Sequence, residues 1–153
     1  MGTFEVSRST GISASADAIH ALIDDFHQWR TWSPWEDLDP ELQRTYSGPD
    51  KGVGATYAWK GNRKAGQGSM VITGSTPDQV DIEIAFIKPF KNTNQATFTL
   101  TPTGDATEVE WTMRGQSKGL WGVLGKVLPM DKWIGNDFEK GLVQLMVVAE
   151  GDN

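Results

Sequence analysis

An amphipathic stretch at residues 130–149 constrains the fold more than any other part of the sequence. At 100° per residue, its large apolar side chains fall on one narrow stripe. That stripe consists of Ile134, Phe138, Leu142, Leu145 and Ala149. The spacing predicts a helix about 30 Å long, because each helical residue adds about 1.5 Å, with Asp131 as its N-cap. Since nearly all of the preceding chain has strand patterning, this helix must lie against a sheet.

Two glycines, Gly135 and Gly141, flank Phe138 on the same face of the predicted helix. Each should cost about 0.5–1 kcal/mol relative to alanine in a helix interior. Either a neighbouring element packs closely against the helix backbone at these positions, or the missing side chains leave room for a ligand beneath the helix. The sequence leaves both explanations open.

The chain before this helix alternates between apolar and polar residues, as half-buried strands do. A first strand is predicted over residues 4–12, and the later strands are predicted over 42–47, 53–59, 68–76, 80–88, 92–101 and 107–115. Serines at 13–15 cap a short helix that ends near Asp25, and a second short helix or turn follows over 26–32. Glycine pairs at 52/54 and 66/68 indicate bulges that curve the sheet. The sequence therefore predicts an antiparallel sheet covered on one face by helices.

The composition indicates one domain spanning residues 1–153 and argues against several classes of partner. Hydrophobic residues make up 38% and charged residues 22%, which is ordinary for a globular protein. The net charge is −6 and lysines and arginines do not cluster, so no nucleic-acid partner is expected. The longest apolar segment, 119–130, contains Lys126 and is too short for stable membrane insertion. The absence of cysteines is typical of a cytoplasmic protein.

Few residues have the spacing that metal, cofactor or nucleophilic chemistry requires. His20 and His27 stand seven residues apart with no matching third ligand, so no metal site is predicted. The glycine-rich segment 119–126 lacks the spacing of a phosphate loop, and no serine stands in a G-x-S-x-G turn. No cofactor is therefore expected.

Several short motifs are similar to one known family. They are 32–35 (WSPW), 46–49 (YSGP), 52–55 (GVGA), 59–62 (WKGN), 66–70 (GQGSM), 107–109 (TEV) with Trp111, and 137–142 (DFEKGL). With these motifs the chain resembles the polyketide cyclase/dehydrase-like branch of the START-related superfamily over nearly its whole length. The resemblance implies an α+β helix-grip fold, like that of the birch pollen allergen. A curved antiparallel sheet of about seven strands, two short helices and one long C-terminal helix would then enclose a cavity.

The residues that face this cavity follow from the alternation of the strands and the stripe of the helix. They are Tyr57, Trp59, Met70, Ile72, Ile84, Phe86, Phe98, Leu100, Trp111, Met113, Ile134, Phe138 and Leu142, with Trp32 and Trp35 at the rim. The hypothesis is an apolar pocket of a few hundred Å³, in the usual range for ligand sites. The alternative for each residue is a filled core, and for Trp29, Trp32 and Trp35 it is packing of the short helices. Next to these tryptophans stand the acidic residues Glu36, Asp37 and Asp39, which are either a solvated loop or a general acid and base at the mouth.

The predicted function is binding of a hydrophobic or amphipathic small molecule, such as a lipid, a polyketide-like compound or an aromatic compound. One polar contact from Tyr57, Trp59 or Trp111 would orient this ligand. The inward positions are nearly free of Asp, Glu, His and Lys, which favours binding over a cyclase- or dehydratase-type reaction. A chaperone-like interaction module is a third alternative. Such a module would use a second apolar side of the last helix, formed by Val143, Met146 and Val147. The same apolar side makes a homodimer possible.

Overall fold

The computed structural model describes residues 2–33, 41–62, 66–88, 92–117 and 130–151. Its strands are β1 (Gly2–Ile12), β2 (Gln43–Ser47), β3 (Thr56–Lys60), β4 (Gln67–Thr76), β5 (Gln79–Lys88), β6 (Asn92–Thr103) and β7 (Ala106–Ser117). Its helices are α1 (Ala16–Ile23), a 3₁₀ helix (Gln28–Thr31) and α2 (Met130–Gly151). This is the predicted order of elements.

All seven strands form one sheet in the order β1-β7-β6-β5-β4-β3-β2. Each neighbouring pair is antiparallel, so β2 to β7 follow one another as hairpins and β1 lies at the edge against β7. One face of the sheet carries the buried apolar residues, and α1, the 3₁₀ helix and α2 pack on that inner face. The α+β helix-grip fold predicted from the sequence is confirmed.

The start of β3 differs most from the predicted strands, because β3 begins at Thr56 and not at residue 53. Gly52 and Gly54 have φ values of +80° and +96°, a left-handed backbone that cannot continue a strand. Val53 between them is 59% exposed, and the N–H of Ala55 donates to the carbonyl of Gly52 at 3.0 Å. Gly52 therefore lies in a turn. The N–H of Gly54 donates to the carbonyl of Ile72 and the N–H of Ile72 donates to the carbonyl of Ala55, so Gly54 and Ala55 both lie opposite Ile72, as in the predicted bulge.

The long helix begins at Met130, so Asp131 lies in its first turn and not at the predicted N-cap. The predicted apolar stripe is confirmed at its described positions, where all four side chains are buried. These are Phe138, Leu142, Leu145 and Ala149, while the side chain of Ile134 lies outside the described part. Within the described ranges, no helix is both long and apolar enough to cross a membrane.

The solvent side of α2 exposes two valines one turn apart. Val143 is 52% exposed and Val147 is 64% exposed, as predicted. Met146 was predicted to point away from the core, but it is partly buried and packs against it. The reason is helical geometry, because Met146 follows the buried Leu142 by four residues and therefore shares much of its face.

A β-bulge lies beside a tryptophan that lies flat on the sheet. The register between β4 and β5 shifts between Gln67 and Gly68, at the predicted glycine pair, and the extra residue is Ile87 on β5. Gly68 lies opposite Trp59 of β3. A Cβ atom on Gly68 would be 2.7 Å from the Trp59 ring and 2.6 Å from the carbonyl oxygen of Ala85. Because Gly68 has no side chain, both the Trp59 ring and the backbone of β5 can lie close to it.

We predict that Gly68→Ala destabilises the protein by about 1–3 kcal/mol, because the methyl group would overlap a backbone carbonyl that cannot move independently. Gly11→Ala is the matched control, since Gly11 also lies in a strand and a Cβ atom added there would meet no atom of the described residues within 4 Å. Urea denaturation of both variants measures the difference. Equal stabilities for the two variants would contradict this account of Gly68.

Candidate functional site

Five aromatic side chains fill the interior where α2 crosses the sheet. This aromatic cluster consists of Trp29, Trp32, Phe98, Trp111 and Phe138. The Trp111 and Phe138 rings are stacked, with centroids 4.1 Å apart and planes within 7° of parallel. Phe98 also stacks against Trp111, with ring centroids 4.7 Å apart. Each of the five side chains is at most 3% exposed, so they form a packed core at this level of the interior.

Two tryptophans of the cluster also fix the connection after α1. The indole N–H of Trp29 donates to the carbonyl of Ile23 at 2.8 Å, and that of Trp32 donates to the carbonyl of Leu22 at 2.9 Å. These carbonyls belong to the last turn of α1, whose C-terminal groups need partners from outside the helix. Trp29 and Trp32 therefore pack the short helices onto the sheet. Trp35, Glu36, Asp37 and Asp39 lie outside the described residues.

An arginine fills the space that Gly135 leaves beneath α2. Arg8 lies on the inner side of β1 opposite Trp111, and a Cβ on Gly135 would overlap its guanidinium. Arg8 Nε is 3.6 Å from Glu139 Oε2, one turn further along the helix. Of the two explanations for Gly135, close packing against a neighbour is therefore the one that the geometry supports. Arg8 also places a positive charge on the inner face, a residue type that the sequence interpretation did not weigh.

The aromatic cluster covers only one end of the inner face. Cross-strand register places Arg8, Trp111, Phe98 and Val80 side by side in one row. From this row α2 continues toward the end of β1, where Glu150 accepts a hydrogen bond from the N–H of Ser13 at 3.0 Å. The other end of the inner face lies in the opposite direction along the strands. We call it the distal end.

Two rows of cross-strand neighbours form the distal end. The first row contains Asn94, Ile84, Met70, Tyr57 and Tyr46, and the second contains Phe86, Gly68 and Trp59. The Tyr57 and Trp59 rings are 6.1 Å apart, and the Trp59 and Phe86 rings meet edge to face at 5.8 Å. Trp59 and Phe86 are only partly buried, unlike the members of the aromatic cluster. The distal wall, defined as Tyr57, Trp59, Met70, Ile84 and Phe86, is thus apolar, aromatic and incompletely covered.

Asn94 is a fully buried polar residue in the distal end, in the same row as Tyr57 and Tyr46. Its side chain is 3% exposed, and its Oδ1 has no hydrogen-bond partner among the described residues. An amide oxygen buried in this way costs about 1–3 kcal/mol. Sequence interpretation missed Asn94, although it precedes the inward-facing Ala96 by two positions and therefore shares its face. The alternation of side chains along β6, followed back by two residues from Ala96, identifies Asn94 as an inward-facing residue.

The structure separates the predicted cavity residues into three groups. Trp32, Phe98, Trp111 and Phe138 belong to the aromatic cluster, and Ile72, Leu100, Met113 and Leu142 are buried core side chains around it. The distal wall contains the other described members: Tyr57, Trp59, Met70, Ile84 and Phe86. Trp35, the side chain of Ile134 and the segment 119–127 lie outside the described residues.

His20, Ser75 and Asp24 form a hydrogen-bonded chain whose order does not suit catalysis. Ser75 Oγ donates to Asp24 Oδ1 at 2.7 Å, and His20 Nε2 lies 3.1 Å from Ser75 Oγ. In a catalytic triad the imidazole lies between the hydroxyl and the carboxylate and removes the hydroxyl proton. Here the carboxylate already accepts that proton, so His20 does not act as a base toward Ser75. The chain ties α1 to β4.

A small polar cleft lies beside His27 and Tyr46, at the edge of the sheet formed by β2. The imidazole stacks on Tyr46 with centroids 4.1 Å apart and pairs with Asp25 at 2.8 Å. The cleft has a volume of about 130 Å³, and Ser47 and Asp50 are among its polar residues. This volume is below the range of about 300–1,000 Å³ that is typical of ligand pockets. Among the described residues, no group of three or more histidines and carboxylates could hold a metal ion.

The sequence of this chain matches one known family of proteins. The family model described as polyketide cyclase / dehydrase and lipid transport matches residues 3–150. The chain belongs to this family. The match spans both the aromatic cluster and the distal end, so the whole inner face lies within the family's domain. No match is found among curated protein sequences.

Solved structures of low sequence identity share the fold of this family member. A protein from Nitrosospira multiformis has a TM-score of 0.70 and 17% identity, covering 98% of this chain and 100% of its own. An Aha1 protein from Colwellia psychrerythraea, solved as a dimer, has a TM-score of 0.68 and 18% identity, with 96% of each chain covered. DynU16, described as a putative protein in the dynemicin biosynthetic locus, has a TM-score of 0.66 and 13% identity, covering 95% of this chain and 47% of its own.

We predict an energetic coupling between Gly135 and Arg8. In the Arg8→Ala background, Gly135→Ala should stabilise the protein by about 0.5–1 kcal/mol, because alanine favours the helix more than glycine does. In the wild-type background this gain should be lost, because the Arg8 guanidinium must move to make room for the methyl group. Thermal and urea unfolding of the four proteins in this double-mutant cycle gives the coupling. Asn136→Ala is the control, because Asn136 is exposed on the same helix and should change stability equally in both backgrounds. Equal effects of Gly135→Ala in both backgrounds would contradict the packing explanation.

Proposed function

We propose that the protein binds a hydrophobic or amphipathic small molecule at the distal end of its inner face. The observation that carries this proposal is the incomplete burial of Trp59 and Phe86. Both are large aromatic side chains on the face of the sheet that otherwise forms the core, and they lie beyond the region that the aromatic cluster fills. An apolar ligand that covers these rings would complete the burial of the wall.

The gain from such binding comes mainly from apolar surface. Removing about 200 Å² of apolar surface from water stabilises a complex by about 5 kcal/mol, at about 25 cal/mol/Å². Trp59 and Phe86 meet edge to face, which leaves ring faces and edges for stacked or T-shaped contacts with an aromatic ligand. Met70 adds a flexible side chain that adapts to ligand shape. The family's description, which includes polyketide cyclases and lipid transport, supports a lipid, polyketide-like or aromatic ligand.

A cyclase- or dehydratase-type reaction at the same site is the second candidate. It needs a group that moves a proton close to the ligand. The described rows of the distal end contain no Asp, Glu, His or Lys, and Asn94 has no titratable proton, so the phenols of Tyr57 and Tyr46 are the titratable groups there. Arg8 lies at the aromatic cluster, where it contacts Glu139, and the Ser75 proton is donated to Asp24. We therefore propose binding ahead of catalysis.

A partner-protein function rests on a different surface. Val143 and Val147 expose an apolar strip on the solvent side of α2. The structurally similar Aha1 protein is a dimer, and this strip is where we propose that a homodimer or another protein contact of this chain would form. Sedimentation analysis of the protein and of Val147→Glu tests it. A monomer of unchanged mass over the whole concentration range would contradict a homodimer.

We predict that the purified protein retains apolar compounds and that Phe86→Ala weakens this retention. Native mass spectrometry followed by denaturing extraction detects any compound that co-purifies. Affinity for 2-naphthol, measured by isothermal titration calorimetry, should fall about 5- to 30-fold in Phe86→Ala, because loss of the ring removes about 1–2 kcal/mol of contact.

Ile87→Ala is the matched control for this titration. Ile87 follows Phe86 on β5, is the extra residue at the register shift with β4 and is 45% exposed. Its replacement should leave the affinity unchanged. Equal affinities for Phe86→Ala and Ile87→Ala, or a wild-type protein that retains no apolar compound and binds no naphthalene derivative, would contradict the proposal.

A further inference from the structure

Asn94 stands at the inner end of the distal wall with its carboxamide buried among apolar neighbours. It pairs with Ile84 across the β5–β6 ladder and precedes the buried Ala96 on the same face. Its Oδ1 has no hydrogen-bond partner in the part of the chain that the structure describes. Buried polar groups in native proteins are paired in most cases, so a buried carboxamide without a partner needs an explanation.

We infer that Asn94 hydrogen-bonds an uncharged oxygen group, a hydroxyl or a carbonyl, of the bound small molecule. This inference rests on the proposed function, because it assigns a role to one residue of the same site. A carboxamide accepts through Oδ1 and donates through Nδ2, so it matches a phenol, an alcohol or a ketone. The ligand supplies the partner that the described chain does not.

Two arginines, Arg8 and Arg44, lie too far from Asn94 to pair with a charged group there. Arg8 lies two strands from Asn94 and opposite Trp111. Strand geometry places its Cα about 16 Å from that of Asn94 along the sheet. Arg44 lies four strands from Asn94, opposite Trp59, which is about 19 Å along the sheet. A carboxylate at Asn94 would be buried without a counter-charge from either arginine, which is strongly unfavourable. Arg114, opposite the neighbouring Gln95, donates to Glu5 on the outer face. With none of these three arginines available, we expect the site to favour neutral oxygen compounds over fatty acids and other carboxylates.

The position of Asn94 also fixes how the ligand lies. Ile84 and Phe86 are its neighbours on β5, so the apolar part next to the oxygen contacts these side chains. The wall then continues across β4 to Trp59 on β3, three strands from Asn94. That span is about 14 Å, the length of a fused-ring or long aliphatic body. The ligand thus has an oxygen at the Asn94 end and an apolar body that extends toward Trp59.

Three matched probes test this assignment by isothermal titration calorimetry: 2-naphthol, 2-methylnaphthalene and 2-naphthoate. They share a ring system and differ in the group that would meet Asn94. In the wild-type protein, 2-naphthol should bind at least tenfold more tightly than either of the other two. Asn94→Leu keeps the side-chain volume similar and removes the hydrogen bonds. In this variant the preference for 2-naphthol over 2-methylnaphthalene should be lost, while affinity for 2-methylnaphthalene stays the same or rises.

A stability measurement and a control variant complete the test. Thermal unfolding of the ligand-free Asn94→Leu variant should show an unchanged or higher Tm, since the variant removes a buried amide oxygen that has no partner among the described residues. Asn94→Ala should lose the same preference for 2-naphthol. Because alanine is smaller than asparagine, this variant shows that the loss does not come from overpacking by leucine. Gln95→Leu is the control, because the neighbouring Gln95 is exposed on the outer face and should leave all three affinities unchanged.

The outcomes separate this inference from the proposed function. If 2-methylnaphthalene and 2-naphthol bind equally to the wild-type protein and to Asn94→Leu, the distal site exists and the role of Asn94 is wrong. Tighter binding of 2-naphthoate than of 2-naphthol also overturns the assignment of a neutral group. If no probe binds either protein and no apolar compound co-purifies, the proposed function fails and the role of Asn94 fails with it.

Discussion

The stack of Trp111 on Phe138 joins the sheet to the long helix, and the rest of the interior is arranged around it. Phe98 extends the stack on the sheet, and Trp29 and Trp32 close it from the side of the short helices. Aromatic pairs of this kind contribute about 0.5–1.5 kcal/mol each beyond the area that they bury. Because these rings occupy the interior where α2 crosses the sheet, the proposed ligand site lies to one side of them, at the distal end.

Two glycines adapt the backbone to large side chains at either end of this arrangement. Gly135 lets the guanidinium of Arg8 lie beneath α2, and Gly68 lets the Trp59 ring lie flat on β4. Both glycines are costly in regular secondary structure, and both are explained by the side chain that takes up the space. The first closes the helix onto the sheet beside the aromatic cluster. The second builds the aromatic surface of the distal wall.

Alternation and helical periodicity predicted most of the fold. They fail where local backbone geometry overrides the pattern, as at Val53, whose flanking glycines turn the chain before β3 begins. They identified the inner face but could not divide it, because a filled core and a ligand wall present the same residue types. Only the degree of burial in the structure separates Phe98 and Trp111, at most 1% exposed, from Trp59 and Phe86, which are partly buried. Asn94 and Arg8 were missed because the interpretation searched the inner face for apolar residues and for proton-transfer groups, and these two are neither.

The central claim is that the distal end binds the ligand while the aromatic cluster stays closed. The most direct measurement is a ¹H–¹⁵N spectrum of the protein during titration with 2-naphthol, with the tryptophan indole signals assigned by Trp→Phe variants. The account predicts that the Trp59 indole and the Asn94 side-chain amide signals shift. The indole signals of Trp29 and Trp32, which donate to carbonyls of α1, should stay in place. Shifts of Trp29 and Trp32 with an unchanged Trp59 would place the ligand inside the cluster and contradict the account.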